Sequence, residues 1–188
     1  MSAASSRPTA PRLRPGDQLD LKRYVRDIPD FPTKGILFRD ITPLLGDGAA
    51  FRQAIHLLAS RFRDEQPRAI VAIESRGLIV GSALAYELGV GLVPVRKRGK
   101  LPHKTFQAAY ALEYGQDVLE IHQDAITAGD RVVIVDDLLA TGGTMGATIQ
   151  LVTQCGGQIA GLGFLIELTA LHGRQRVQPH PVTVLIQY

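Results

Sequence analysis

The sequence predicts an α/β fold, a central and mostly parallel sheet flanked by helices. Three observations carry that expectation. Short continuous apolar runs, such as "AIVAI" (69–73) and "RVVIV" (131–135), read as strands buried on both faces. Segments with apolar residues at helical spacing fall between such runs, and this βα alternation is the mark of a parallel sheet. The length, 188 residues, suits one domain that buries roughly 70% of its unfolded surface without a staple.

The elements follow in order. Residues 1–18 are read as a disordered tail and 19–188 as a single domain. The opening "MSAASSRPTAPRLRPG" carries Ser, Ala, Pro and Arg, no acid, and almost nothing to bury. It has no apolar core of a secretory signal and no clear amphipathic pattern of a transit peptide. "FRQAIHLLASRF" (51–62) reads as a helix, 69–73 as a buried strand, and "GLIVGSALAYELG" (77–89) as a helix with a glycine stop. "VGLVPV" (90–95) is a strand in which Pro94 marks an end or an irregularity. "DVLEIH" (117–122) alternates like a strand with one wetter face, and 131–135 is a core strand. A helix is expected over 144–155. "IAGLGFLIEL" (159–168) and "VTVLIQY" (182–188) close the chain as strands.

Composition excludes some functions. The hydrophobic fraction is 45% and the charged fraction 21%, ordinary for a soluble globular protein. No apolar run approaches the roughly 20 residues of a membrane span. Cys155 is the only cysteine, so an intrachain disulfide is impossible, which fits a reducing, cytoplasmic compartment. The formal net charge of +3 suits anionic small molecules at least as well as nucleic acid, and no nucleic-acid partner is expected.

The most informative stretch is "VVIVDDLLATGGT" (132–144). A buried strand ends in two adjacent carboxylates, Asp136 and Asp137, and then turns through Gly142 and Gly143. Open parallel sheets bind ligands beyond the carboxyl ends of their strands. The glycines let backbone N–H groups converge, and the following helix adds the positive end of its dipole. That describes a phosphate cradle. The carboxylates cannot serve the phosphate, but they can accept hydrogen bonds from vicinal hydroxyls on a sugar joined to it. Phosphate on the glycine side and diol on the acid side describe a ribose 5-phosphate. A plain structural turn or an acidic metal site are the competing readings of the parts. The Gly-Lys-Ser/Thr ending of a P-loop is missing, as is the G-x-G-x-x-G dinucleotide pattern.

The whole string resembles the phosphoribosyl pyrophosphate (PRPP) signature of the type I phosphoribosyltransferases. Other stretches point to the adenine-using branch of that family. "DFPTKGILFRDITPLL" (30–45) is similar to its adenine-side segment, "ESRGLIVGSALAYELG" (74–89) to its pyrophosphate loop, and "VRKRGKLPHKTFQAAYALEYG" (95–115) to its basic strand end and flexible loop. The resemblance covers nearly everything from Tyr24 to Tyr188. It implies the type I fold with a small N-terminal hood. It implies conversion of adenine and PRPP to AMP and diphosphate with Mg²⁺, a homodimer, and a cis peptide at Glu74–Ser75.

Site residues follow from this resemblance together with their chemistry. Ala140, Thr141, Gly142, Gly143 and Thr144 are expected at the 5-phosphate. Ser75, Arg76, Arg96, Lys97, Arg98 and Lys100 are expected at the pyrophosphate, with Lys100 able to serve a partner's site. Asp136 and Asp137 hold the diol and stabilise an oxocarbenium-like transition state. Mg²⁺ is expected mainly on substrate oxygens and water, with no metal cage built by the protein. Phe38 offers a stacking face for the purine and the Leu37 backbone an edge to pair with, while Arg39 is expected to shape the slot by pairing with Asp40. Glu113, positioned by Tyr114, is the candidate proton acceptor in a mobile loop. His103 and Lys104 receive no role. Two other readings stay open: an oxopurine-specific relative, against which "FRD" argues, and a sugar-phosphate-binding regulator, for which the only spare segment is the short tail.

Overall fold

The computed structural model describes residues 18–111 and 116–188. The tail expected over 1–18 therefore lies outside the described residues except for Gln18, and so do Glu113 and Tyr114. The first described element is a 3-10 turn, Leu21–Tyr24, opened by the Asp20 side chain accepting from the Lys22 amide. Strands β1 (Arg26–Pro29) and β2 (Leu37–Asp40) then form an antiparallel hairpin with Ile28 opposite Phe38. None of their residues is buried. This two-stranded sheet is separate from the main one and is the expected hood.

A short helix α1 (Thr42–Gly46) leads to α2 (Gly48–Phe62). Helix α2 starts earlier than its apolar periodicity implies, because Asp47 caps it by accepting from the amides of Ala49 and Ala50. Strand β3 (Ala69–Ile73) is buried at every position. Helix α3 (Arg76–Leu88), strand β4 (Gly91–Lys97), strands β5 (Thr105–Ala111) and β6 (Gln116–His122), and strand β7 (Arg131–Leu139) follow. The chain finishes with α4 (Gly143–Gln154), β8 (Gln158–Glu167), α5 (Gly173–Arg176) and β9 (Val182–Gln187).

The main sheet has the order β5-β6-β4-β3-β7-β8-β9. From β4 to β9 every neighbouring pair is parallel, while β6 runs antiparallel to both β4 and β5. Alternate residues of β7 feed opposite faces. Val132 and Ile134 pack with Met145, Leu151 and Val152 of α4, and Val133 and Val135 pack with Leu58, Phe62 and Leu84 of α2 and α3. This double burial explains the unbroken apolar runs.

Three expectations need correction. Strand β4 runs through Pro94 to Lys97 rather than ending near Val95, because β6 joins it only at Arg96 and Lys97. At Pro94 that edge has no strand partner among the described residues, so the missing N–H is tolerated. The stretch expected as a flexible loop after the basic run is a strand over Thr105–Ala111, in register with β6 and burying Ala108. Strand β7 continues past Val135 to Leu139. Its pairing with β3 stops at Val135, but β8 carries on beside it to Leu139. The two acids thus stand on a strand that projects beyond β3 while still bonded on its other side.

Candidate active site

The projecting end of β7 fixes the acid pair. Asp137 is 6% exposed and Asp136 half-buried. Arg76, at the first turn of α3, donates from Nε to Asp137 Oδ2 at 2.5 Å. The Asp137 amide donates to Asp136 Oδ1 at 2.9 Å. Burial, and then the adjacent Asp137 charge, push the Asp136 carboxyl well above the usual carboxylate range. Gly77 makes this packing possible: a Cβ there would lie 2.6 Å from Asp136 Oδ1 and 3.1 Å from its Cα.

The cradle comes next. Gly142 sits at φ +78°, a left-handed conformation that favours glycine, and α4 starts at the next residue without a side-chain cap. Ala140–Thr144, with Asp136, Leu138, Leu139 and Met145, line a cavity of about 70 Å³. A distant segment closes its back. A Cβ on Gly142 would lie 2.7 Å from the Gly173 carbonyl oxygen, and a Cβ on Gly173 would lie 2.2 Å from the Ala140 carbonyl oxygen. Arg174 anchors that segment by donating to both oxygens of the buried Glu167, at 2.7 and 2.9 Å. Those bonds hold the Glu167 carboxyl below its ordinary range. Sequence reading missed Gly173. Its signal is tertiary and has no local pattern.

The pyrophosphate side is more occupied than the basic run suggests. The Glu74–Ser75 peptide is cis, as the resemblance implies. The Glu74 carboxylate accepts from Arg96 Nε at 3.0 Å and from the Lys97 amide at 3.0 Å, and the Arg96 bond leads in holding it below its ordinary range. Lys97 Nζ lies 2.9 Å from Asp117. Arg96 and Lys97 are therefore held by carboxylates rather than standing free. The buried Glu120 accepts from the amides of Lys100 and Leu101 at 2.9 and 2.8 Å, fixing the backbone where Lys100 departs. Tyr110 of β5 reaches Asp117 at 3.3 Å, so the β5–β6 hairpin is bonded on both sides of residues 112–115.

On the base side, Leu37 is 46% exposed and Phe38 half-buried. Phe31, which sequence reading left out, meets Phe38 edge-on with centroids 5.1 Å apart. The Arg76 guanidinium lies 5.2 Å from the Phe38 centroid. Arg39 does not pair with Asp40. It pairs with Asp27 across the hairpin and lies 3.7 Å from the Tyr188 ring centroid. Neighbouring strand residues point to opposite faces, so the expected pair was sterically disfavoured. Asp40 instead takes Arg26 at 3.5 Å and the amide and hydroxyl of Thr42 at 2.9 and 2.8 Å.

A family model of the phosphoribosyl transferase domain matches residues 43–187. The adenine phosphoribosyltransferase of Carboxydothermus hydrogenoformans is 55% identical over 170 residues, covering 90% of this chain and 100% of that one. The chain belongs to the adenine phosphoribosyltransferase family. Among solved structures, the adenine phosphoribosyltransferase of Thermoanaerobacter pseudethanolicus superimposes with a TM-score of 0.87 at 52% identity, covering 89% of this chain and 98% of that one. That of Saccharomyces cerevisiae, complexed with an imino-altritol bisphosphate and adenine, gives 0.84 at 43% identity, covering 88% and 96%.

In this chain, Arg76 joins the expected groups. It touches the Phe38 ring on one side and Asp137 on the other. Glu74 brings Arg96 and Lys97 to the cis peptide beside it. Among the described residues, no helix is long and apolar enough to cross a membrane.

Proposed function

We propose that the chain transfers the phosphoribosyl group of PRPP to adenine, giving AMP and diphosphate in purine salvage. The carrying observation is Arg76, which links an aromatic slot to the acid pair at the mouth of a phosphate cradle. The Ala140–Thr144 amides and the Thr141 and Thr144 hydroxyls bind the 5-phosphate. Ser75, Arg76, Arg96, Lys97 and Lys100 receive the pyrophosphate, whose charge competes with the carboxylates that hold Arg76, Arg96 and Lys97 in its absence.

Asp136 and Asp137 take the vicinal hydroxyls. The pair's negative charge faces the anomeric carbon as positive charge develops. Phe38 stacks on adenine, the Leu37 backbone pairs with its edge, and Arg39 supports both from behind. Glu113, with Tyr114 as its positioning partner by the family resemblance, accepts the proton that must leave the base. Mg²⁺ accompanies PRPP. Among the described residues no cluster of three or more ligand side chains stands ready for a metal, and the carboxylates facing the sugar can hold a substrate-borne ion through water. Such an ion supplies charge screening for the leaving diphosphate.

The working assembly is a homodimer in the cytoplasm. Ile79 and Tyr86, seven residues apart on α3 and 46% and 90% exposed, are apolar side chains that a second copy would cover. Residues 19–188 form the single domain and 1–18 a tail. AMP formation from labelled adenine and PRPP, with hypoxanthine and guanine as competitors, tests the reading. Adenine should be consumed unhindered. Preferential use of hypoxanthine or guanine would replace it with an oxopurine enzyme, and binding of PRPP without turnover would favour a regulator.

A further inference from the structure

The β1–β2 hairpin carries Leu37 and Phe38, yet it contributes no buried residue and no strand pairing to the main sheet. Beyond its chain connection to the buried Ile41, side-chain contacts set how it sits. The Arg39 guanidinium on the Tyr188 ring is one of these. Tyr188 itself is fixed to the frame. Its amide donates to the Glu167 carbonyl at 3.0 Å, and its carbonyl accepts from the Thr169 amide at 2.9 Å and the Thr169 hydroxyl at 2.6 Å. Its ring takes two cations, with Arg39 Cζ 3.7 Å and Lys22 Nζ 4.2 Å from the centroid. Lys22 also donates to the Gln187 carbonyl at 2.9 Å.

We propose that Tyr188 is a latch that positions the hairpin for the base, a specificity-supporting residue that does not touch the substrate. This rests on the adenine reading above. Arg39 and Phe38 are adjacent in β2, so their side chains leave opposite faces of the strand. Arg39 goes to Tyr188 and, across the hairpin, to Asp27, while Phe38 goes to Phe31 and Arg76. Holding Arg39 from behind therefore sets where the Phe38 face and the Leu37 backbone stand. The cradle does not share this ring contact: Gly173 and α4 close it, and the Tyr188 backbone bonds to Glu167 and Thr169 do not depend on the ring.

The test compares Tyr188→Ala, Tyr188→Phe and Arg39→Gln with the unaltered chain, measuring KM for adenine and for PRPP separately. Tyr188→Ala should raise the adenine KM roughly 5- to 30-fold, the scale of one lost stacked cation, and leave the PRPP KM unchanged. Tyr188→Phe keeps the ring face and should restore the adenine KM. Arg39→Gln should raise the adenine KM alone, and if Tyr188→Ala does not fold, Tyr188→Leu, which removes the ring face and leaves the Arg39–Asp27 pair, decides the matter. The latch is overturned by an unchanged adenine KM, by parallel rises in both constants, or by Tyr188→Phe behaving like the alanine variant. If the unaltered chain makes no AMP, the adenine reading itself fails. If it makes AMP and the variants match it, only the latch fails.

Discussion

The two halves of the site are held in different ways. The cradle side grows directly out of the core: β7 is bonded to β8 as far as Leu139, the turn follows at once, and Gly173 closes against it within van der Waals limits. The base side is a short hairpin with no buried strand residue, tied together by the Arg39–Asp27 ion pair and held to the rest of the chain by Arg39 on Tyr188 and Arg76 on Phe38. Close packing resists small displacements and fails sharply when a methyl is added. A hairpin held by a few side-chain contacts can shift by small amounts when one is lost, and should yield more gradually. The cradle should thus be brittle and the hood compliant.

The largest effect is expected at Glu113, which lies outside the described residues. Glu113→Leu should lower the chemical step by about 10²–10⁴ in single-turnover experiments, with AMP binding changed far less. An unchanged chemical step would return Glu113 to the surface. Next come Asp136→Asn and Asp137→Asn, each expected to reduce turnover by about 10²–10³ while adenine binding holds. Wild-type steady-state rates in both would remove the acid pair from the mechanism.

Gly173→Ala tests brittleness most cleanly. The added methyl meets the Ala140 carbonyl, and a cradle displaced by about an ångström should lose on the order of 10²-fold in kcat/KM for PRPP. A normal PRPP constant would mean that the cradle yields after all.

The smallest effect concerns stability. Asp136 has its carboxyl pushed up in the folded chain, so folding resists its ionisation. The penalty is absent below the ordinary carboxylate range, grows as pH rises through it, and is complete above the folded pKa. Asp136→Asn should therefore raise Tm, and raise it more at pH 8 than at pH 5. The gain should vanish near pH ~4. A Tm difference independent of pH would contradict the assignment.

What could be read in the sequence tracks the same contrast. The cradle was legible because strand, acids, glycines and helix are consecutive, and each constrains the next. The parallel core was legible because strands buried on both faces leave unbroken apolar runs, as in Ala69–Ile73. Strand β5 was not, since Thr105–Ala111 is an edge strand of mostly small and polar residues with little periodic signal. Arg39 was given the wrong partner because sequence adjacency is a poor guide within a strand. The pairs Gly142–Gly173, Arg76–Asp137 and Arg39–Tyr188 join separated segments, so no local pattern announces them. The resemblance supplied the base-side residues, and the geometry supplied what holds them.

The most direct test of separate construction is calorimetric binding of AMP, adenosine and ribose 5-phosphate to the unaltered chain, Gly173→Ala and Phe38→Leu. Gly173→Ala should weaken AMP and ribose 5-phosphate together and spare adenosine. Phe38→Leu should weaken AMP and adenosine and spare ribose 5-phosphate. Either variant weakening all three ligands equally would contradict the account.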